Sequence, residues 1–146
     1  MLDNIKISIN LLKQYNLPLE IIHSLIGKLI FSKYLIDREI FENKYDFNNL
    51  IIKKECLFDF FNFLEEKFNP DLFKLSEKQK NTITYKHLTT LNKLFMGYDM
   101  AHPNQSVIDC PYDFKIIPIE LISNIYEAFL HDKTSKKNQK YILHCF

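Results

Sequence analysis

Apolar residues recur at three- and four-residue spacing along most of the chain, a pattern that predicts a series of amphipathic helices. The first predicted helix covers about residues 3 to 15 and ends at the Asn16-Leu17-Pro18 break. The second and longest covers about residues 18 to 40. A third ends at Asn69-Pro70 and carries a clean apolar side, which consists of Leu57, Phe60, Phe61, Leu64 and Phe68.

Local signals place the next elements. Residues 41 to 53 are rich in Asn and Asp, which favours a loop with at most one short turn of helix. Ser76 followed by Gln79 fits a capping box and predicts a helix start. A further helix buries Leu88, Leu91, Leu94 and Phe95, and Gly97 is well placed to end it in a left-handed conformation.

The segment from 98 to 117 is irregular and leads to a last predicted helix between Pro118 and Leu130. Pro118 suits the first helical position, and Glu120 places negative charge near the positive end of the helix dipole. The apolar side of this helix consists of Leu121, Ile122, Ile125, Tyr126 and Phe129. After Leu130 the chain becomes polar and lysine-rich.

These elements predict an all-α fold, an irregular multi-helix bundle of about five to six helices with one long central helix. Only two Gly and five Pro among 146 residues favour helices over a hairpin-rich sheet. We expect one helical domain over residues 1–130, followed by a basic tail over residues 131–146.

Composition narrows the function. A net charge of +1 gives no global attraction to nucleic acid or membrane, and no segment resembles a targeting or membrane-spanning sequence, so we expect a cytoplasmic protein. The spacing of Cys56, Cys110 and Cys145 favours neither a disulfide framework nor a metal site. Two glycines cannot form a glycine-rich phosphate loop, and we identify no catalytic constellation.

Basic residues are the candidate functional group. Lysines at such positions can neutralise phosphates without reading sequence, and the alternative is that they only solvate exposed faces. Part of the long helix and the tail contain the candidates: Lys28, Lys33, Arg38, Lys133, Lys136, Lys137 and Lys140. The triplet Tyr45-Asp46-Phe47 recurs at 112 to 114 without matching flanks, and we interpret that repetition as coincidence.

Three strings in series resemble a family. The long helix ends in Tyr34-Leu35-Ile36-Asp37-Arg38, the next string is Phe68-Asn69-Pro70-Asp71-Leu72-Phe73, and the last runs from Tyr112-Asp113-Phe114 through the helix that ends at Leu130. In order and spacing they resemble the helical region before the catalytic core of restriction-associated N6-adenine DNA methyltransferases, which include bifunctional type II restriction-modification enzymes.

The resemblance implies a non-catalytic scaffold that supports the core and contacts the DNA backbone through the basic residues above. It implies no cofactor in this chain, because S-adenosylmethionine binds in the core of the parent family. The core is expected to dock on the last string, through Tyr112, Phe114, Tyr126, Glu127 and Phe129.

The sequence departs from the family after Lys136-Lys137, where the glycine motif and the Asn-Pro-Pro-Tyr motif are missing. We therefore expect the tail to be a truncated linker, separated by a frameshift from a methyltransferase core that is now encoded separately. The alternative is a free-standing helical module that binds another protein through the apolar face around Tyr126 and Phe129.

Overall fold

The computed structural model describes residues 2–68, 74–102, 114–115, 118–120 and 123–124. Within these ranges the prediction of an all-α fold with five to six helices is confirmed. No helix in the described part of the chain combines the length and the apolar character that crossing a bilayer requires. The helices are α1 Leu2–Gln14, α2 Leu19–Asp37, α3 Phe47–Ile51, α4 Lys54–Lys67, α5 Glu77–Thr82 and α6 Tyr85–Phe95.

Helix α2 is the longest in the described ranges, and 13 of its 19 residues are buried. From Leu25 to Leu35 every residue is buried, as expected for a helix that is apolar around most of its circumference. Helix α1 packs against α2 and α6, and the short α3 packs against α2, α4 and α6. Helix α3 therefore contacts three of the other helices although it is only five residues long.

Three helices end in the same hydrogen-bonded motif. Asn16, Glu39 and Gly97 follow α1, α2 and α6 with φ angles of 65°, 59° and 84°, so the prediction for Gly97 is confirmed. After α2, the N–H groups of Glu39 and Ile40 donate to carbonyl oxygens near the helix end at 3.0 and 3.2 Å, which is the Schellman pattern. Helix α2 therefore ends at Asp37, three residues before the predicted boundary.

The predicted capping box at the start of α5 is confirmed. The Gln79 N–H donates to Ser76 Oγ at 3.1 Å, and the Ser76 N–H donates to Gln79 Oε1 at 2.9 Å. In the predicted loop the one short helix, α3, begins where the Asp46 carboxylate accepts the Asn48 N–H at 3.2 Å. Side chains of this kind stabilise a helix start because the first backbone N–H groups have no partner within the helix.

Only part of the last predicted helix is described. Ile119, Glu120, Ser123 and Asn124 are helical, directly after Pro118, and Ile119 packs against the core. Residues 121–122 and 125–146 lie outside the described residues, and so do the apolar face around Tyr126 and the predicted tail.

A buried histidine joins the start of α6 to the end of α1. His87 is 3% exposed; its Nδ1 accepts the Thr84 N–H at 3.0 Å, and its Nε2 lies 2.7 Å from the Tyr15 carbonyl oxygen. These two bonds assign the neutral tautomer with the proton on Nε2, since Nδ1 must accept. One imidazole ring therefore bonds a backbone N–H at the start of α6 and a backbone carbonyl oxygen just after α1. His87 and Tyr15 are 72 residues apart in the sequence.

We expect replacement of His87 by Ala to lower the free energy of unfolding by about 2 kcal/mol, because both backbone groups lose a buried partner. Urea denaturation followed by circular dichroism measures the change. The control is Tyr85→Ala on the same helix, whose side chain is 64% exposed. Equal losses in the two variants would contradict the role assigned to the ring.

Candidate functional site

The carboxyl end of α2 contains a nearly buried ion pair. Lys33 and Asp37 are four residues apart and so face the same side of the helix, with Lys33 Nζ 2.7 Å from Asp37 Oδ2. The two side chains are only 9% and 16% exposed. Because water is largely excluded, the carboxylate is needed to compensate the ammonium charge.

The backbone of Phe114 is held by two neighbouring residues. They are Asp37, the last residue of α2, and Arg38, the C-cap of that helix. The Phe114 N–H donates to Asp37 Oδ2 at 2.9 Å, and Arg38 Nε donates to the Phe114 carbonyl oxygen at 3.3 Å. The Arg38 guanidinium also lies 4.8 Å from the centre of the Tyr34 ring. We call the group of Lys33, Asp37 and Arg38 with Phe114 the Phe114 clamp.

The Lys33 ammonium in the clamp lies between two phenylalanine rings. Its distance to the ring centres of Phe47 and Phe114 is 5.4 Å in both cases, a favourable cation–π geometry. Both rings also contact the Phe95 ring, at centre distances of 5.2 and 6.5 Å. Phe47 and Phe114, the phenylalanines of the two Tyr-Asp-Phe triplets, thus contact the same lysine, although the flanking residues of the triplets do not match.

A polar cleft of about 350 Å³ opens beside the clamp. Its rim includes an exposed pair in which Lys115 Nζ lies 3.7 Å from Glu39 Oε1. Donors and acceptors both face this space, and within the described ranges no three His, Cys, Asp or Glu side chains are arranged to hold a metal ion. The cleft is lined by Lys33, Ile36, Asp37, Glu39, Asn43, Tyr45, Asp46, Phe47, Asn48 and Lys115.

Burial corrects part of the predicted DNA contact. Lys28 and Lys33 are 5% and 7% exposed, so neither ammonium is presented on the surface of this chain as a phosphate contact requires. The reason is that α2 is covered on nearly every side, including the side on which its lysines lie. Arg38 is exposed, but its Nε is bonded to Phe114. Lys133, Lys136, Lys137 and Lys140 lie outside the described residues.

Burial also affects one of the predicted docking residues, Phe114. Phe114 is fully buried against Phe95 and Lys33, so its ring belongs to the core of this chain rather than to an exposed docking face. Tyr112, Tyr126, Glu127 and Phe129 lie outside the described residues.

Asp37 is the residue of the clamp for whose carboxylate the sequence predicts no role, although it lies in one of the three strings. The available signal is the four-residue spacing between Lys33 and Asp37 on a largely apolar helix, where an opposite-charge pair is a favourable arrangement.

Lys28 is the second buried lysine of α2, and its surroundings differ from those of Lys33. Its Nζ donates to Ser24 Oγ at 2.5 Å, and no carboxylate of the described ranges pairs with it. Burial without a counter-charge lowers the pKa of Lys28 from 10.5 to about 8, because desolvation penalises the charged form. Lys28 therefore reduces stability at neutral pH.

No family model, no curated protein and no solved structure matches the chain.

We expect Asp37→Ala to lower the free energy of unfolding by about 3 kcal/mol, because it leaves the Lys33 ammonium buried without a counter-charge and the Phe114 N–H without a partner. Urea denaturation measures it. The matched control is Glu39→Ala, which removes an exposed pair and costs at most about 1 kcal/mol. Residue 39 has a left-handed backbone conformation, which is unfavourable for a residue with a Cβ atom. Ala and Glu both have one, so the substitution does not change this cost.

The double variant Lys33→Met/Asp37→Ala separates charge from packing. It removes the uncompensated ammonium, so we expect it to be more stable than Asp37→Ala alone. If the double variant loses as much stability as Lys33→Met and Asp37→Ala lose together, compensation of the buried Lys33 charge is not the role of Asp37.

We expect Lys28→Met to raise the free energy of unfolding at pH 7 by up to about 3 kcal/mol. The folded chain releases the Lys28 proton near pH 8 and the unfolded chain near 10.5, so the unfolded state binds more protons in between. The free energy of unfolding of the parent chain therefore rises with pH across that window. The difference in free energy of unfolding between Lys28→Met and the parent chain becomes smaller.

Urea denaturation at several pH values from 7 to 10 measures this convergence. Lys6→Met replaces an exposed lysine of α1 and serves as the control, for which no such convergence is expected. Parallel pH dependences of the parent chain and Lys28→Met would contradict the assignment.

Proposed function

We propose that the chain is a non-catalytic helical scaffold of a restriction-associated N6-adenine DNA methyltransferase. Methyl transfer would belong to a separately encoded core that binds S-adenosylmethionine. The Phe114 clamp is the observation that carries this proposal, because it joins two of the three strings on which the resemblance depends.

The strings lie far apart in the chain. Phe114 is 77 residues from Asp37 and 76 from Arg38, yet both of its backbone polar groups are bonded to these two side chains. A Tyr-Leu-x-Asp-Arg helix end and a later Tyr-Asp-Phe turn have no local reason to occur together. A fold in which the first holds the second gives a physical reason, and this supports the resemblance.

The clamp also suggests how such a scaffold would work. It fixes the chain at Phe114 and Lys115, just before the helical residues Ile119 and Glu120. The half-buried Ile119 and the buried Ser123 hold the start of this last helix on the body of the domain. The direction in which the chain continues toward a core would then be set by α2.

Contact with the DNA backbone is the second part of the proposal. With Lys28 and Lys33 buried, it would fall to Lys133, Lys136, Lys137 and Lys140, together with the exposed part of Arg38. Contacts of this kind weaken as salt rises, because each neutralised phosphate releases condensed counterions.

Co-expression tests the scaffold. A tagged copy of the chain is produced together with the sequence encoded downstream of it, where the proposal places the methyltransferase core, and we expect the two products to co-purify and to methylate adenine together. Asp37→Ala should weaken the association by about tenfold or more, since it releases the segment that precedes the last helix. Glu20→Ala, which replaces an exposed carboxylate in the first turn of α2, is the control and should leave the association unchanged.

Two results would overturn the proposal. One is a downstream sequence that encodes no methyltransferase core. The other is a core that methylates DNA equally well without this chain and does not bind it.

A further inference from the structure

A second surface, separate from the buried lysines of α2, combines aromatic rings with accessible lysines. The turn before α3 supplies Lys44 and Tyr45, and α4 and the residue before it supply Lys53, Phe63 and Lys67. We call these five residues the aromatic–lysine surface. The three lysines are exposed and the two rings are half-buried.

The rings of this surface are held from beneath. The Tyr45 ring centre lies 4.7 Å from that of Phe60 and 5.5 Å from that of Phe41, both of which are buried. The Phe63 ring centre lies 5.6 Å from that of Phe41. Edge-to-face contacts of this kind fix ring orientation, so Tyr45 and Phe63 are preorganised while part of each remains accessible.

Two depressions lie on either side of Tyr45. One, of about 280 Å³, includes Phe63 and Lys67 in its lining, and the other, of about 180 Å³, includes Lys53. Lys44 and Tyr45 line both. In the larger depression the Lys67 ammonium lies 5.5 Å from the Phe63 ring centre, so a positive charge and an aromatic face are neighbours.

The lysines of this surface have no close counter-charge in the described ranges. In the described part of the chain no carboxylate lies within ion-pair distance of Lys44, Lys53 or Lys67. Asp59 and Glu66 are exposed and lie four residues before and three residues after Phe63 on α4, so both carboxylates are neighbours of its ring.

Two carboxylates border the depressions themselves, Glu42 and Asp46. Asp46 is occupied at the start of α3, where it accepts the Asn48 N–H and the Asn49 side-chain amide at 3.2 and 2.8 Å. Glu42 faces solvent. The ammonium groups of Lys44, Lys53 and Lys67 are exposed beside these carboxylates.

We propose that the aromatic–lysine surface binds single-stranded nucleic acid, with bases stacked on Tyr45 and Phe63 and phosphates neutralised by Lys44, Lys53 and Lys67. Rings beside a line of cations are the arrangement that binds such strands without reading sequence. Lys53 and Lys67 are separated by 14 residues of helix, about 21 Å, so the surface spans several nucleotides. A duplex keeps its bases stacked inside and would leave the rings unused.

This site goes beyond the scaffold role and does not depend on it. It uses the chain alone, whereas the scaffold role requires a methyltransferase core. If the chain binds no single strand, the scaffold role is unaffected. If the co-expression experiment fails, the proposed binding of single strands is unaffected.

Fluorescence anisotropy tests the site. The probes are a labelled oligodeoxythymidine, an oligouridine of equal length and a duplex, with inorganic polyphosphate as an unlabelled competitor that has charge but no bases. The variant Lys44→Gln/Lys53→Gln/Lys67→Gln is compared with Lys6→Gln/Lys13→Gln/Lys78→Gln, which alters three exposed lysines on α1 and α5. Both triple variants change the formal charge from +1 to −2, since three positive charges are removed.

We expect the first triple variant to bind a single strand at least tenfold more weakly at about 50 mM salt, and the slope of log affinity against log salt to fall by about 2. The control triple variant should stay within about twofold of the parent chain. Oligodeoxythymidine and oligouridine distinguish DNA from RNA as the preferred strand, and preference for either supports the site.

Stacking is tested by Tyr45→Leu and Phe63→Leu, which keep an apolar side chain. Each should weaken single-strand binding by about fivefold or more, and Tyr85→Leu, at an exposed tyrosine of α6, should not. Circular dichroism confirms that the variants are folded, and the lysine variants test the site even if a ring variant unfolds.

Three outcomes would overturn the proposal. They are no binding of any single strand at low salt, equal losses of single-strand binding in the two lysine triple variants, and a loss of duplex binding in Lys44→Gln/Lys53→Gln/Lys67→Gln as large as its loss of single-strand binding.

Discussion

The structure depends on how one buried ammonium is compensated. Lys33 lies on a helix that is covered almost completely, and an isolated charge there would be strongly unfavourable. Asp37, one turn later, supplies the opposite charge, and the same oxygen accepts the N–H of Phe114. Through this atom the end of α2 determines where a segment nearly 80 residues further along is held.

Other elements arrange themselves around the same charge. Helix α3 is only five residues long, too short to be stable alone, but its Phe47 lies against the Lys33 ammonium and against Phe95 of α6. Phe114 occupies the other side. Aromatic rings suit this position because they offer a negative face to the cation and a large apolar area to the core.

Much of the fold could be predicted from the sequence because its signals are local. Helical periodicity, the Ser76 capping box and the left-handed Gly97 each involve residues a few positions apart. The burial of Lys28 and Lys33 could not be predicted in this way. In the sequence a lysine on an apolar helix looks like part of a solvent-exposed face, and only the packing of other elements against the helix shows that it is covered. Left-handed Glu39, Glu42 and Asn43 were equally hidden, because no glycine marks them. The clamp pairs residues whose separation leaves no periodic trace, and only the family resemblance suggested that the two strings belong together.

The double use of Asp37 Oδ2 has a consequence for the dynamics of the domain. If the segment at Phe114 detaches, the carboxylate loses one of its two donors and the ring that shields Lys33 departs with it. Water then reaches the ion pair, and the end of α2 loses the hydrogen bond from Arg38 Nε to the Phe114 carbonyl oxygen. Detachment of the segment and fraying of the helix end are therefore one cooperative opening event rather than two independent ones. The amide proton of Phe114 should exchange with solvent only as often as that joint opening occurs.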